Sequence, residues 1–123
     1  MTGSERSIAA LAALRSDRGA GAVLAIALVA AVVVTGLAAV SLAAGLSARQ
    51  RVVGAADLAA LAAADAASGA IGGVPCTVAA SVARANDAGL ASCEADGLVV
   101  TVTAVGSFAG IPIVARSAAG PPG

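Results

Sequence analysis

The sequence contains no histidine, no lysine, no tryptophan and no tyrosine, and it has a single phenylalanine. Only 11% of its residues are charged, and seven arginines balance seven acidic residues to a formal charge of zero. Each absence excludes a class. Without His the chain lacks the commonest general base and metal ligand. Without basic blocks or stacking aromatics it has no means of neutralising phosphates or holding bases, which argues against a nucleic-acid partner. What is present is apolarity: 59% of the 123 residues are hydrophobic. That excludes a disordered chain, and an ordinary soluble domain carries more charge and more aromatics. The length suits one small domain at most. These properties together predict a small membrane-associated protein.

The apolarity is concentrated. Thirty residues between Arg18 and Arg49, from Gly19 to Ala48, carry no charge, and their centre reads Val23-Leu24-Ala25-Ile26-Ala27-Leu28-Val29-Ala30-Ala31-Val32-Val33-Val34. About 20 apolar helical residues cross a hydrocarbon core of about 30 Å, so this run spans a bilayer with some tilt or a protruding end. A buried core helix would need a large surrounding domain, which this chain does not supply. A cleavable secretory signal has an apolar region of about 7–15 residues, roughly half as long. A retained signal anchor fits better. Arg15 and Arg18 flank one end and Arg49 and Arg51 the other, so the positive-inside comparison is close to a tie.

Along the chain, 1–18 reads as a leader on the cytoplasmic side, with Ile8–Leu14 a transient helix, and 19–48 as the transmembrane helix. The helix is expected to continue through 49–68, giving one long element from about Gly21 to Ser68, because Ala, Leu and Asp dominate there and Pro is absent. Ser68-Gly69-Ala70-Ile71-Gly72-Gly73-Val74-Pro75 is a breaker, and Pro75 suits the first position of a second helix. Asn86-Asp87-Ala88-Gly89 ends that helix, with Gly89 the expected left-handed cap. Leu90–Glu94 reads as a strand, Ala95-Asp96-Gly97 as a hairpin turn, and Leu98–Val105 as a second strand. In that strand Leu98, Val100, Val102 and Ala104 face one way and Val99, Thr101, Thr103 and Val105 the other. A break is expected at Gly106-Ser107, then a third strand, Ile111–Ala115, held to a sheet edge by Pro112. The predicted class is α+β, with a long N-terminal helix followed by a small head, 69–117, of one helix and a two- to three-stranded antiparallel sheet. The small, Pro/Gly-rich residues 118–123 form a tail expected to fray.

Few side chains invite chemistry. In the second part of the long helix Leu58 and Leu61 form a thin apolar stripe, with Asp57 and Asp65 beside it. The aspartates read either as solvated or, for Asp65, as pairing with an arginine when this face packs on a partner. No His, Lys or nucleophile accompanies them, which leaves a general acid–base role without support. Small-xxx-small pairs such as Gly21/Ala25 and Ala27/Ala31 allow close helix approach, though such spacings arise readily in an Ala-rich chain. The two cysteines, Cys76 and Cys93, have no CxxC spacing and no His for a zinc or redox site. In a reducing compartment they would be buried thiols. Outside the membrane they would close a loop of about 18 residues, worth roughly 3 kcal/mol to a head with little core. The disulfide is the preferred reading, and it places the head outside and the N-terminus in the cytoplasm. No catalytic residue, cofactor or metal site is assigned, and no small-molecule substrate is expected.

The order of these features resembles a known family. Asp17-Arg18-Gly19-Ala20-Gly21-Ala22-Val23 running into the apolar helix, followed by Ala55-Ala56-Asp57-Leu58-Ala59-Ala60-Leu61-Ala62-Ala63-Ala64, is similar to the TadE-like proteins of tight-adherence pili and secretion-related systems. The likeness is closer to their Ala-rich actinobacterial branch, in which one Cys opens a second helix and another follows in a strand, as Cys76 and Leu90-Ala91-Ser92-Cys93 do here. It covers about Ser16 to Val105. The resemblance implies a pilin-like fold and a role as minor pseudopilin or pilus-assembly protein, whose partners are the lipid bilayer and other pilin-like or secretion-system membrane subunits. In prepilin-type members a leader peptidase cuts after a Gly, with a Glu five residues beyond. Gly19 is the candidate position, and its fifth following residue is Leu24. Processing in a filament subunit and permanent anchoring of an accessory subunit both remain open on these residues. The alternatives are a signal-anchored extracytoplasmic binding module and a holin-like pore-former, with an enzyme last.

Overall fold

The computed structural model describes residues 3–122, with the side chains of 8–18 left aside. The elements run α1 (Gly3–Ser68), α2 (Pro75–Ala85), β1 (Gly89–Asp96), β2 (Val99–Phe108) and β3 (Ile111–Ala119). This is the expected α+β layout of a long N-terminal helix followed by a short helix and an antiparallel sheet. The long helix starts at Gly3, not near Gly21, so the leader belongs to α1; 3–18 has no proline and is rich in helix-favouring Ala, Leu and Arg. The chain forms two compact units, Met1–Leu42 and Ala43–Gly123.

The described residues of the first unit are all helical. Every side chain from Gly19 to Leu42 is exposed, including Val23, Leu24, Ile26, Leu28, Val32 and Leu37.

In the second unit the remainder of α1 ends where the breaker predicts. Gly69 takes a left-handed φ of 81°. Its N–H donates to the Ala66 carbonyl at 3.2 Å, and the Ala70 N–H donates to that of Asp65 at 2.9 Å. These are the paired bonds of a Schellman ending, which satisfy carbonyls the helix leaves open. Helix α2 opens with Pro75, where a missing N–H costs nothing. Its ending differs from expectation. Asp87, not Gly89, is the left-handed residue, at φ 58°. The Asp87 N–H donates to the Arg84 carbonyl at 3.1 Å and the Ala88 N–H to Ala83 at 2.9 Å. Gly89 instead begins β1 opposite Val105, where an added Cβ would stand 3.2 Å from Val105 Cγ2.

The three strands lie in the order β1-β2-β3, antiparallel throughout. Asp96 pairs with Val99 around a Gly97-Leu98 turn in which Gly97 alone has a positive φ, 61°, the sign pattern of a II′ hairpin. Phe108 pairs with Ile111 around Ala109-Gly110, both left-handed as in a I′ hairpin. Both outer strands are protected against further pairing: β1 by an irregularity between Leu90 and Ser92 and by two acidic residues, β3 by Pro112. Two expectations are corrected here. The chain does not break at Gly106-Ser107; β2 runs on to Phe108, with Gly106 opposite Ile113. A Cβ at Gly106 would stand 2.6 Å from Val52 Cγ2, so this glycine is where α1 approaches the sheet and not a turn. Nor does the strand stop at Ala115: Ser117, Ala118 and Ala119 pair with Val102, Thr101 and Val100.

The core is built from the smallest apolar side chains. Val52, Ala55, Ala56, Ala59, Ala60 and Ala63 of α1 form one cluster with Ala79 and Ala83 of α2 and with Val100, Val102 and Ala104 of β2. The β2 alternation holds for Val100, Val102 and Ala104, which are fully buried while Val99 is exposed and Thr101, Thr103 and Val105 are half-buried. Leu98, expected on the inward face, is instead an exposed turn residue, because β1 runs on to Asp96 and the turn falls at Gly97-Leu98.

Candidate functional site

Three features carry functional information, and each arises from a local property of the sequence. The first is the apolar helix. Among the described residues one helix is long and apolar enough to cross a membrane, starting at Gly19, and none of its most apolar stretch is buried. A helix that is hydrophobic all round needs either a core or lipid around it. Two of its hydroxyls are turned inward on the backbone: Thr35 Oγ1 donates to the Ala31 carbonyl at 2.7 Å, and Ser41 Oγ donates to that of Leu37 at 2.9 Å. Such back-bonding satisfies a hydroxyl where no water is at hand. Gly19 lies on the helix at the head of this stretch and is exposed, with open space around its Cα.

The second feature is the cysteine pair. Pro75 starts α2 so that Cys76 lies in its first turn, and Cys93 lies at the middle of β1 opposite Val102. Their Cα atoms are 5.7 Å apart and the sulfurs are bonded, within the separation that a disulfide requires. The bond ties the first turn of α2 to the middle of β1, across a separation of 17 residues in sequence.

The third is the outward face of α1 in the second unit. Asp57, Leu58, Leu61 and Asp65 are all exposed, Leu58 at 49% and Leu61 at 57%. The four residues share one side of the helix, with Val53 continuing the stripe toward the apolar run. The alanine side, not the leucine side, is the one turned to the sheet. Hydrophobicity favours Leu for the core, but the buried side of α1 is almost wholly alanine, with Val52 fitted where Gly106 leaves room for it.

One concave place escaped sequence reasoning. A cleft of about 330 Å³ lies between α1 and the end of the β2–β3 hairpin, lined by Gly45, Arg49, Phe108, Ile111, Pro112, Ile113 and Val114. The signal that points to it is the lone aromatic, placed at the end of a strand beside a turn. Among the described residues no group of His, Cys, Asp or Glu is arranged to hold a metal ion. No protein family, curated protein or solved structure matches this chain.

Proposed function

We propose that this chain is a single-pass membrane protein of TadE-like type, a structural or accessory subunit (minor pseudopilin) of a pilus or secretion-related apparatus. The observation that carries the reading is the joining, in one chain, of a fully exposed apolar helix to a disulfide-tied α/β head packed on the same helix's alanine face. Apolar surface on this scale is stable only in lipid or against other apolar helices. The disulfide supports an oxidising, extracytoplasmic location for the head and, with a single span, a cytoplasmic N-terminus. The chain acts by assembly and not by catalysis, and Asp57, Leu58, Leu61 and Asp65 form the face offered to a neighbouring subunit.

Three measurements test this. Alkaline extraction should leave the protein in the membrane fraction; release with the soluble proteins overturns the anchor. Alkylation in intact cells followed by intact mass should find no free thiol, and free thiols would contradict the outward placement. N-terminal sequencing separates the two modes of action. Ala20 as first residue indicates leader-peptidase cleavage after Gly19, whereas an intact Met1 or Thr2 indicates a permanently anchored accessory subunit.

A further inference from the structure

The chain's only aromatic side chain is not in its core. Phe108 closes β2 half-buried, and a Cβ built at Gly45 would stand 3.6 Å from Phe108 Cε1. From there the chain turns through Ala109-Gly110 into Ile111-Pro112, all four exposed, with Ile111 at 66%. The hairpin tip therefore displays apolar surface beside a particular level of α1. That level is the end of the uncharged run, since Gly45 lies inside it and Arg49, one turn further on, is the first charge beyond it.

Helix geometry sets the depth. Thirty helical residues rise about 45 Å at 1.5 Å each. This matches the full bilayer with its headgroup layers, about 40–45 Å, and exceeds the hydrocarbon core of about 30 Å. Arg49 then stands at the outer limit of the headgroups. Gly45, about 6 Å back along the axis, lies within that layer, and Phe108 lies against it. Residues 98–115 contain no charge, so nothing on the tip opposes entry into the interface, and the cleft's single charge is the cationic Arg49. The other hairpin lies at the opposite end: Leu98, Gly120 and Pro121 line a groove with Leu61, Asp65 and Ser68.

We propose that the β2–β3 hairpin tip is a membrane-interface foot. Phe108, Ile111 and Pro112 rest in the headgroup layer of the bilayer that α1 crosses, and a phospholipid of that layer fills the cleft with its phosphate toward Arg49. This rests on the single-pass reading above. Apolar residues at this depth gain burial while Arg49 keeps its charge at the phosphates.

The absence of tryptophan makes the test direct. Single-tryptophan variants Ile111→Trp, Phe108→Trp, Leu28→Trp and Leu98→Trp are reconstituted in phosphatidylcholine–phosphatidylglycerol vesicles. The lipids carry nitroxides on either the shallow or the deep part of the acyl chain. Ile111→Trp replaces an exposed side chain and keeps the fold accessible even if Phe108→Trp does not; retention of the disulfide checks both. The foot predicts blue-shifted emission at 111 and 108, stronger quenching by the shallow label than by the deep one, and protection from aqueous iodide. Leu98→Trp should be quenched by iodide and Leu28→Trp by the deep label. Iodide quenching at 111 and 108 with lipid quenching retained at 28 overturns the foot alone. Loss of lipid quenching at 28 as well overturns the anchor and the foot together.

Discussion

Ala109 holds a backbone conformation that L-residues disfavour, φ 51°, and it does so beside Gly110 at φ 79° in the hairpin that ends β2. A non-glycine residue there costs about 1–2 kcal/mol in local sterics, so Ala109→Gly should stabilise the head by about 0.5–1 kcal/mol once the added freedom of the unfolded chain is set against it. Thermal unfolding of the detergent-solubilised protein reads the difference as a rise in Tm. Asp87, at φ 58°, is a milder case, because a short polar side chain tolerates the left-handed region better than Ala. Gly106 has the opposite requirement. An added methyl meets Val52 Cγ2 at 2.6 Å, so Gly106→Ala should destabilise by about 1–3 kcal/mol through overpacking. The double variant Val52→Ala/Gly106→Ala should recover part of that loss. Simple additivity of the two single losses would show that the contact does not set the approach of helix to sheet.

At the scale of elements, the two sides of α1 should respond to substitution in opposite ways. Ala60→Leu enlarges a fully buried position, and a loss of about 1–3 kcal/mol is expected. Leu58→Ala and Leu61→Ala act on exposed positions, so unfolding should shift by no more than about 0.5 kcal/mol. If that face meets a subunit, a photocrosslinker at Leu61 in cells should capture a membrane partner, and Asp65→Ala should weaken the capture. Most of the architecture was legible in the sequence because its signals are local. Gly69 ends α1 where the breaker begins, Pro75 starts α2, and the Val/Thr alternation of β2 places Val100, Val102 and Ala104 inward. The misreadings in the head share one cause. Gly106, Gly89 and the small residues 117–119 look like turn and tail material by composition. Their conformations are instead set by what lies across from them: Val52, Val105 and the residues of β2. The cleft at Phe108 was hidden for the same reason, since its walls come from segments about sixty residues apart.

For the molecule as a whole, the Cys76–Cys93 bond is the covalent tie that holds the head together. In the chain-entropy account a loop of this size contributes about 3 kcal/mol, so Cys76→Ser/Cys93→Ser, or reduction, should lower the Tm of the head markedly while membrane retention persists. Equal loss of retention would mean that the anchor depends on the head. The alanine face of α1 has a mechanical consequence of its own. Alanine has no rotamers, so burying Ala55, Ala56, Ala59, Ala60 and Ala63 freezes no side-chain freedom, yet these residues recur so nearly from one turn to the next that a helix slipped by a turn would largely present methyls where methyls were. Such a surface resists separation better than it resists sliding. Val52 seated in the notch at Gly106 breaks that near-repeat, acting as the key that keeps the head from creeping along its own stalk when the helix is pulled.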